Sequence, residues 1–179
     1  MYGGLYREVN FIEKNNIYIS NPSIADIEAG GGVFITFPTV NEKMSEVKIQ
    51  THVINEGEND KGARIKHVIK KGNDIVEEVT ADIILRKGKQ GNTWCYTVEM
   101  DSPALWSPDS PTLYTLETTI YDEDGMVMDR NTERFGIRKF EFKDNQLYIN
   151  GKKTYLRGVN RHQEYPYIGY ALSDNAQYR

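Results

Sequence analysis

Between residues 30 and 138 the chain is punctuated by turn signals roughly every 8–12 residues, and the runs between them alternate apolar with polar side chains. No helical period of comparable length occurs there, so the segment is constrained to short strands with one packed and one wetted face. Gly30-Gly31-Gly32 precedes Val33–Phe37, and Pro38 closes that run by removing a backbone donor. Val47, Ile49, Thr51 and Val53 alternate with Lys48, Gln50 and His52, which are expected to meet water. Ala63–Lys71 ends at Gly72-Asn73, and Ile75–Leu85 ends at Arg86-Lys87-Gly88. Trp94, Tyr96, Val98 and Met100 share one face of the next run, and Tyr114, Leu116, Thr118 and Ile120 share one face of the run after it. Asp122-Glu123-Asp124-Gly125 then turns the chain into Met126–Arg138. The pattern predicts an all-β protein, an immunoglobulin-like β-sandwich of about seven strands.

Composition narrows the function classes. The 179 residues suffice for one domain, or one plus a piece of another. Twenty-two Lys and Arg against 26 Asp and Glu give a net charge of −4, so no excess of positive charge favours nucleic acid. One cysteine, Cys95, rules out an internal disulfide framework and any multi-cysteine metal site. No apolar run approaches the roughly 18 residues of a membrane helix, and a basic-then-apolar leader is absent from the first 20 residues. The expectation is a soluble polypeptide with neither nucleic-acid nor membrane partners.

Both flanks differ from the middle. Tyr6–Phe11 and Ile17–Ser20 are short candidate strands. In the tail, Asn150-Gly151 separates the apolar-rich runs Gln146–Ile149 and Lys152–Leu156, a strong hairpin signal. Arg157–His162 and a tyrosine-rich loop come next, and Asp174 stands three residues before Gln177 at an approximate capping-box spacing. A helix starting there has almost no chain left to propagate into, which points to a chain that continues.

Few side chains suggest chemistry. Glu77 and Glu78 are strand neighbours that point to opposite faces, and the Asp122–Asp124 carboxylates sit in a turn that lacks the remaining ligands of a calcium loop. His52 and His67 lie inside strands without a second ligand at metal spacing, and Cys95 reads as a semi-buried strand residue with no base in reach. The glycine triplet is not followed by a helix, so a phosphate-cradling loop is unsupported. Trp106 is expected to pack where a strand meets a proline-rich turn, and Tyr114 to bond its hydroxyl back to the main chain as a sandwich corner. Trp94 and Trp106 have a competing reading as sugar-stacking platforms. No metal or other cofactor is expected.

Four segments together resemble glycoside hydrolase family 2, the family of β-galactosidases, β-glucuronidases and β-mannosidases. Gly4-Leu5-Tyr6-Arg7-Glu8-Val9 is similar to the close of that family's sugar-binding jelly roll. Leu105-Trp106-Ser107-Pro108 with Pro111, Leu113 and Tyr114 resembles a signature late in its immunoglobulin-like domain, and Phe135-Gly136-Ile137-Arg138 resembles the exit from it. Leu147–Lys152 and Leu156–His162 resemble the hairpin and first strand of the catalytic barrel.

The resemblance implies a division into residues 1–20 (end of the jelly roll and linker), 21–138 (sandwich) and 139–179 (hairpin and first strand of a truncated (β/α)8 barrel). It implies a non-catalytic part of a retaining, exo-acting, β-galactosidase-like enzyme, whose partners are its own jelly-roll and barrel domains and whose substrate is a β-glycoside. Retaining hydrolysis needs two carboxyl groups roughly 5–5.5 Å apart, and in the family both are glutamates on later barrel strands, so catalytic residues are expected to be none in this chain. By the same resemblance His162, with Asn160 and Arg161, contributes to substrate binding in the intact enzyme, at the strand end where barrel sites assemble. Residues from about 140 are expected to be more mobile than the sandwich, or to pair with a second copy as a homo-oligomer. The alternative is an autonomous immunoglobulin- or fibronectin-like module binding carbohydrate or protein.

Overall fold

The computed structural model describes residues 9–28, 30–162 and 164–178. Contacts divide the chain into two units, Lys14–Thr154 and a second that joins the residues up to Glu13 with those from Tyr155 onward.

Among the described residues the first unit contains eleven strands: β1 (Ile17–Ile19), β2 (Val33–Thr36), β3 (Met44–Asn55), β4 (Lys61–Lys71), β5 (Asp74–Leu85), β6 (Gly88–Asp101), β7 (Tyr114–Asp122), β8 (Val127–Phe135), β9 (Phe140–Lys143), β10 (Gln146–Ile149) and β11 (Lys152–Thr154). All pairings are antiparallel. In the first sheet β3 is central, with β6 along one edge and β2 and β1 end to end along the other, opposite residues 48–51 and 53–55. The second sheet runs β5-β4-β7-β8. The predicted sandwich is therefore present, and β1, which the sequence reading places with the linker, is hydrogen-bonded into it through Ile17, Tyr18 and Ile19. Val9–Phe11 is not a strand, and Tyr6–Glu8 lies outside the described residues.

Alternation explains the core. Val47, Ile49, Ile69, Val98, Met100, Tyr114, Leu116, Phe135 and Ile137 form one buried cluster, and Ile17, Ile19, Val53, Ala63, Ile65, Ile83, Leu85 and Ile120 form another. Each fully buried aliphatic side chain contributes about 1.5–3 kcal/mol of transfer free energy, so these two clusters hold the sheets face to face. Cys95 departs from expectation. It is exposed, because it falls on the outer face of β6, opposite to Val98 and Met100.

His52 also departs from expectation, in the other direction. It sits on the outer face of β3 yet is 2% exposed. Its Nδ1 lies 2.8 Å from Ser20 Oγ and its Nε2 2.8 Å from the Gln90 carbonyl. A carbonyl only accepts, so Nε2 carries the hydrogen, and Nδ1 accepts from the Ser20 hydroxyl. That hydroxyl in turn accepts from the Gly32 N–H at 2.8 Å. The glycine-rich segment is thus pinned over the sheet. Gly91, at φ 68, leaves free the space beside the ring's Nε2 and Cε1 that a Cβ would fill.

Beyond the sandwich, β9, β10 and β11 form a three-stranded meander. Asp144 (φ 51) and Asn145 (φ 57) link the first pair of strands, and Asn150 (φ 51) and Gly151 (φ 77) link the second. Both links place two central residues in the left-handed region, as a type I′ hairpin turn requires. The Asn-Gly hairpin is as the sequence predicts.

In the second unit, Tyr165 and Gly169 form an isolated bridge and α1 (Asp174–Gln177) is a single turn capped by Ser173. The segment expected as the first barrel strand, Leu156–His162, has no strand structure. Strand geometry is held by a paired neighbour, and no described residue forms a strand ladder with it.

Candidate functional site

Three of the sequence motifs converge where the sandwich hands over to the meander. Trp106 lies in the connection from β6 to β7, and its backbone N–H donates to the Ile137 carbonyl at 2.9 Å. Ile137 is fully buried in the core, which fixes that carbonyl. Arg138 is next in the chain, its guanidinium carbon 4.9 Å from the Trp106 ring centroid and 5.3 Å from that of Phe140. Gly136 permits the close approach, since a Cβ there would sit 2.8 Å from Trp106 side-chain carbons.

Asn150 completes the knot. Its Nδ2 donates to the Trp106 carbonyl, its Oδ1 accepts from the Lys139 N–H, and its own N–H donates to the Lys139 carbonyl, each at 2.9 Å. A turn residue of the hairpin therefore satisfies main-chain groups on both the tryptophan loop and the sandwich exit. Sequence reasoning found Asn150 only as a turn residue, because the Asn-Gly turn already accounts for an asparagine there. Lys152 pairs with Asp109 at 3.2 Å, but both are exposed and add little.

The tryptophan loop is itself anchored. Leu105 packs on the first core cluster, and the Tyr114 hydroxyl accepts the Ala104 N–H at 2.9 Å. Tyr114 stacks on Phe135 at 5.7 Å, and Phe135 meets Phe37 at 5.9 Å. The predicted corner role of Tyr114 and the packing role of Trp106 are both realised.

Other candidates resolve into structure. Asp122 Oδ1 accepts the N–H groups of Asp124 and Met126 at 3.1 and 2.7 Å, closing the hairpin turn. Glu78 pairs with Lys66 at 2.8 Å and Glu117 with Lys70 at 2.7 Å, along a groove of the second sheet. His67 is 2% exposed, its Nδ1 3.0 Å from Thr118 Oγ1, and burial pushes its pKa down from 6.5 to about 4. Among the described residues, no three His, Cys, Asp or Glu side chains gather as metal ligands, and no helix is long and apolar enough to cross a membrane. Asn160, Arg161 and His162 are exposed in the irregular segment of the second unit.

The first unit defines an immunoglobulin-like sandwich whose exit segment is hydrogen-bonded to a β-hairpin. Two family models match in series, glycosyl hydrolases family 2 over residues 26–138 and the TIM barrel domain of that family over residues 140–177. The chain belongs to glycosyl hydrolase family 2. A β-galactosidase of Thermoanaerobacter pseudethanolicus is 32% identical over 99% of this chain and 22% of its own length, and one of Thermoanaerobacterium thermosulfurigenes is 29% identical over 98% and 23%. The solved structure of β-glucuronidase 2 from Bacteroides uniformis matches 89% of this chain and 19% of its own, with TM-score 0.72 and 28% identity. A family 2 member from Bacteroides cellulosilyticus matches 92% and 20%, with TM-score 0.72 and 23% identity. The chain thus spans about a fifth of the relatives it matches, in which these residues are part of larger enzymes.

Proposed function

We propose that these residues are a non-catalytic, structural part of an exo-acting family 2 β-glycosidase of the β-galactosidase kind, supporting and spacing its catalytic barrel. The carrying observation is the junction: Asn150 binds both the Trp106 carbonyl and the Lys139 N–H, so the hairpin is oriented by the sandwich. In this reading residues 1–20 close a sugar-binding jelly roll, 21–138 are the spacer, and 139–179 open the barrel. His162, supported by Asn160 and Arg161, then belongs to the barrel's substrate-binding end, and the partners are the enzyme's own jelly roll and barrel.

The test has two arms. The 179-residue chain alone is expected to leave nitrophenyl β-galactoside, β-glucuronide and β-mannoside intact. Turnover that survives repurification and scales with chain concentration would overturn the reading. Sequencing the source gene past the codon for Arg179 supplies the second arm. Alternating strands and helices with two glutamates at strand ends support it, and an immediate stop would favour a stand-alone binding module.

A further inference from the structure

The two apolar clusters of the sandwich are separated by a polar layer. In β3, Thr51 lies between Ile49 of one cluster and Val53 of the other, and in β4, His67 lies between Ile69 and Ile65 in the same way. Across the second sheet the register runs Val79, His67, Thr118, Asn131, and across the first it runs Trp94, Thr51, Val33. Thr51 is fully buried and His67 is 2% exposed. Within this layer only His67 Nδ1 and Thr118 Oγ1 pair with each other, while His67 Nε2, Thr51 Oγ1 and Asn131 Oδ1 are buried without a partner among the described residues.

We propose that this layer is an internal water site, centred on His67 Nε2 and completed by Thr51 Oγ1 and Asn131 Oδ1. Buried polar atoms almost always find a partner, and a water needs two to four polar neighbours to be held. The three atoms supply the necessary mixture. Asn131 Oδ1 only accepts, the Thr51 hydroxyl donates or accepts, and His67 Nε2 does either according to which ring nitrogen carries the hydrogen. A water molecule matches every one of these combinations, whereas the flanking side chains of β3, β4 and β7 (Ile49, Val53, Ile65, Ile69, Leu116 and Ile120) are aliphatic and offer no hydrogen-bonding partner. The site lies inside the sandwich and is independent of the role proposed for the junction.

Water-to-protein cross-relaxation at the His67 ring protons tests this on the whole chain, with imidazole 15N shifts reporting the ring tautomer. A rotating-frame cross-peak from a long-lived water is expected, retained in Thr51→Ser and lost in Thr51→Val. A direct Thr51 hydroxyl contact to the ring with no water cross-peak would overturn the proposal, as would a water peak unchanged in Thr51→Val. Should Thr51→Val fail to fold, the unsubstituted chain and Thr51→Ser still decide, since absence of the cross-peak in both sinks it.

Discussion

The Arg138 guanidinium carbon lies 4.9 Å from the centroid of the Trp106 ring, while the Trp106 backbone N–H donates to the carbonyl of Ile137, the residue just before that arginine. A cation over an indole face is the strongest of the cation–π pairings, contributing about 0.5–2 kcal/mol. One tryptophan thus grips the sandwich exit through both its backbone and its ring, at the point where the chain leaves for the hairpin.

Asn150→Gly separates turn propensity from the junction. Glycine accepts the left-handed φ of 51° without strain, so turn chemistry alone predicts little change. Loss of the side-chain bonds to Trp106 and Lys139 predicts destabilisation by about 1–3 kcal/mol, read from urea unfolding. A neutral or stabilised variant would show that the side chain does not hold the junction.

Gly136→Ala pushes a methyl against Trp106, 2.8 Å from its nearest carbons. Neighbours this tight must shift, at a cost of about 1–3 kcal/mol. Trp106 emission should move to longer wavelength as the ring leaves Arg138, and an unchanged spectrum with unchanged stability would contradict the packing described.

His67 makes stability depend on pH. Its folded pKa, about 4, lies below the ordinary 6.5, so between those values the unfolded chain binds more protons than the folded one. Stability from this group is complete above pH 6.5, falls as pH drops toward 4, and is flat below that, a loss of about 3 kcal/mol in all. His67→Leu should remove this slope relative to the unsubstituted chain in a pH series of unfolding curves; parallel curves would refute it.

Amide exchange should show where the firmly held chain stops. The sequence reading sets increased mobility from about residue 140, but β10 is hydrogen-bonded on both sides and Asn150 ties its turn to Lys139 and Trp106. Protection is therefore expected through Ile149 and lost across Leu156–His162, which has no strand structure. Equal protection in both segments of a verified monomer would contradict this.

Period-two alternation made the sandwich legible in the chain. It assigned Val47, Ile49, Leu116 and Ile120 to the interior, because a strand's side chains can only alternate and the apolar set has one face to hide. Asn150-Gly151 fixed its hairpin for an equally local reason, the left-handed backbone that the turn requires. What alternation does not carry is which outward face later becomes covered. His52 and Cys95 both occupy outer positions, yet the loop holding Ser20 and Gly32 buries the first and leaves the second in solvent.

The long strands of the sandwich, their inward faces and the Asn150-Gly151 turn were written in the order of residues, since each depends on neighbours close together in the chain. The strands expected at Val9–Phe11 and Leu156–His162 did not form, and β9 carried no such signal. The meeting of Trp106, Gly136, Arg138 and Asn150 at one junction was settled only by folding, and so was the buried layer that Thr51 shares with His67. Those relationships join residues far apart in the chain. They arise from sheet register and loop closure, which no local pattern encodes.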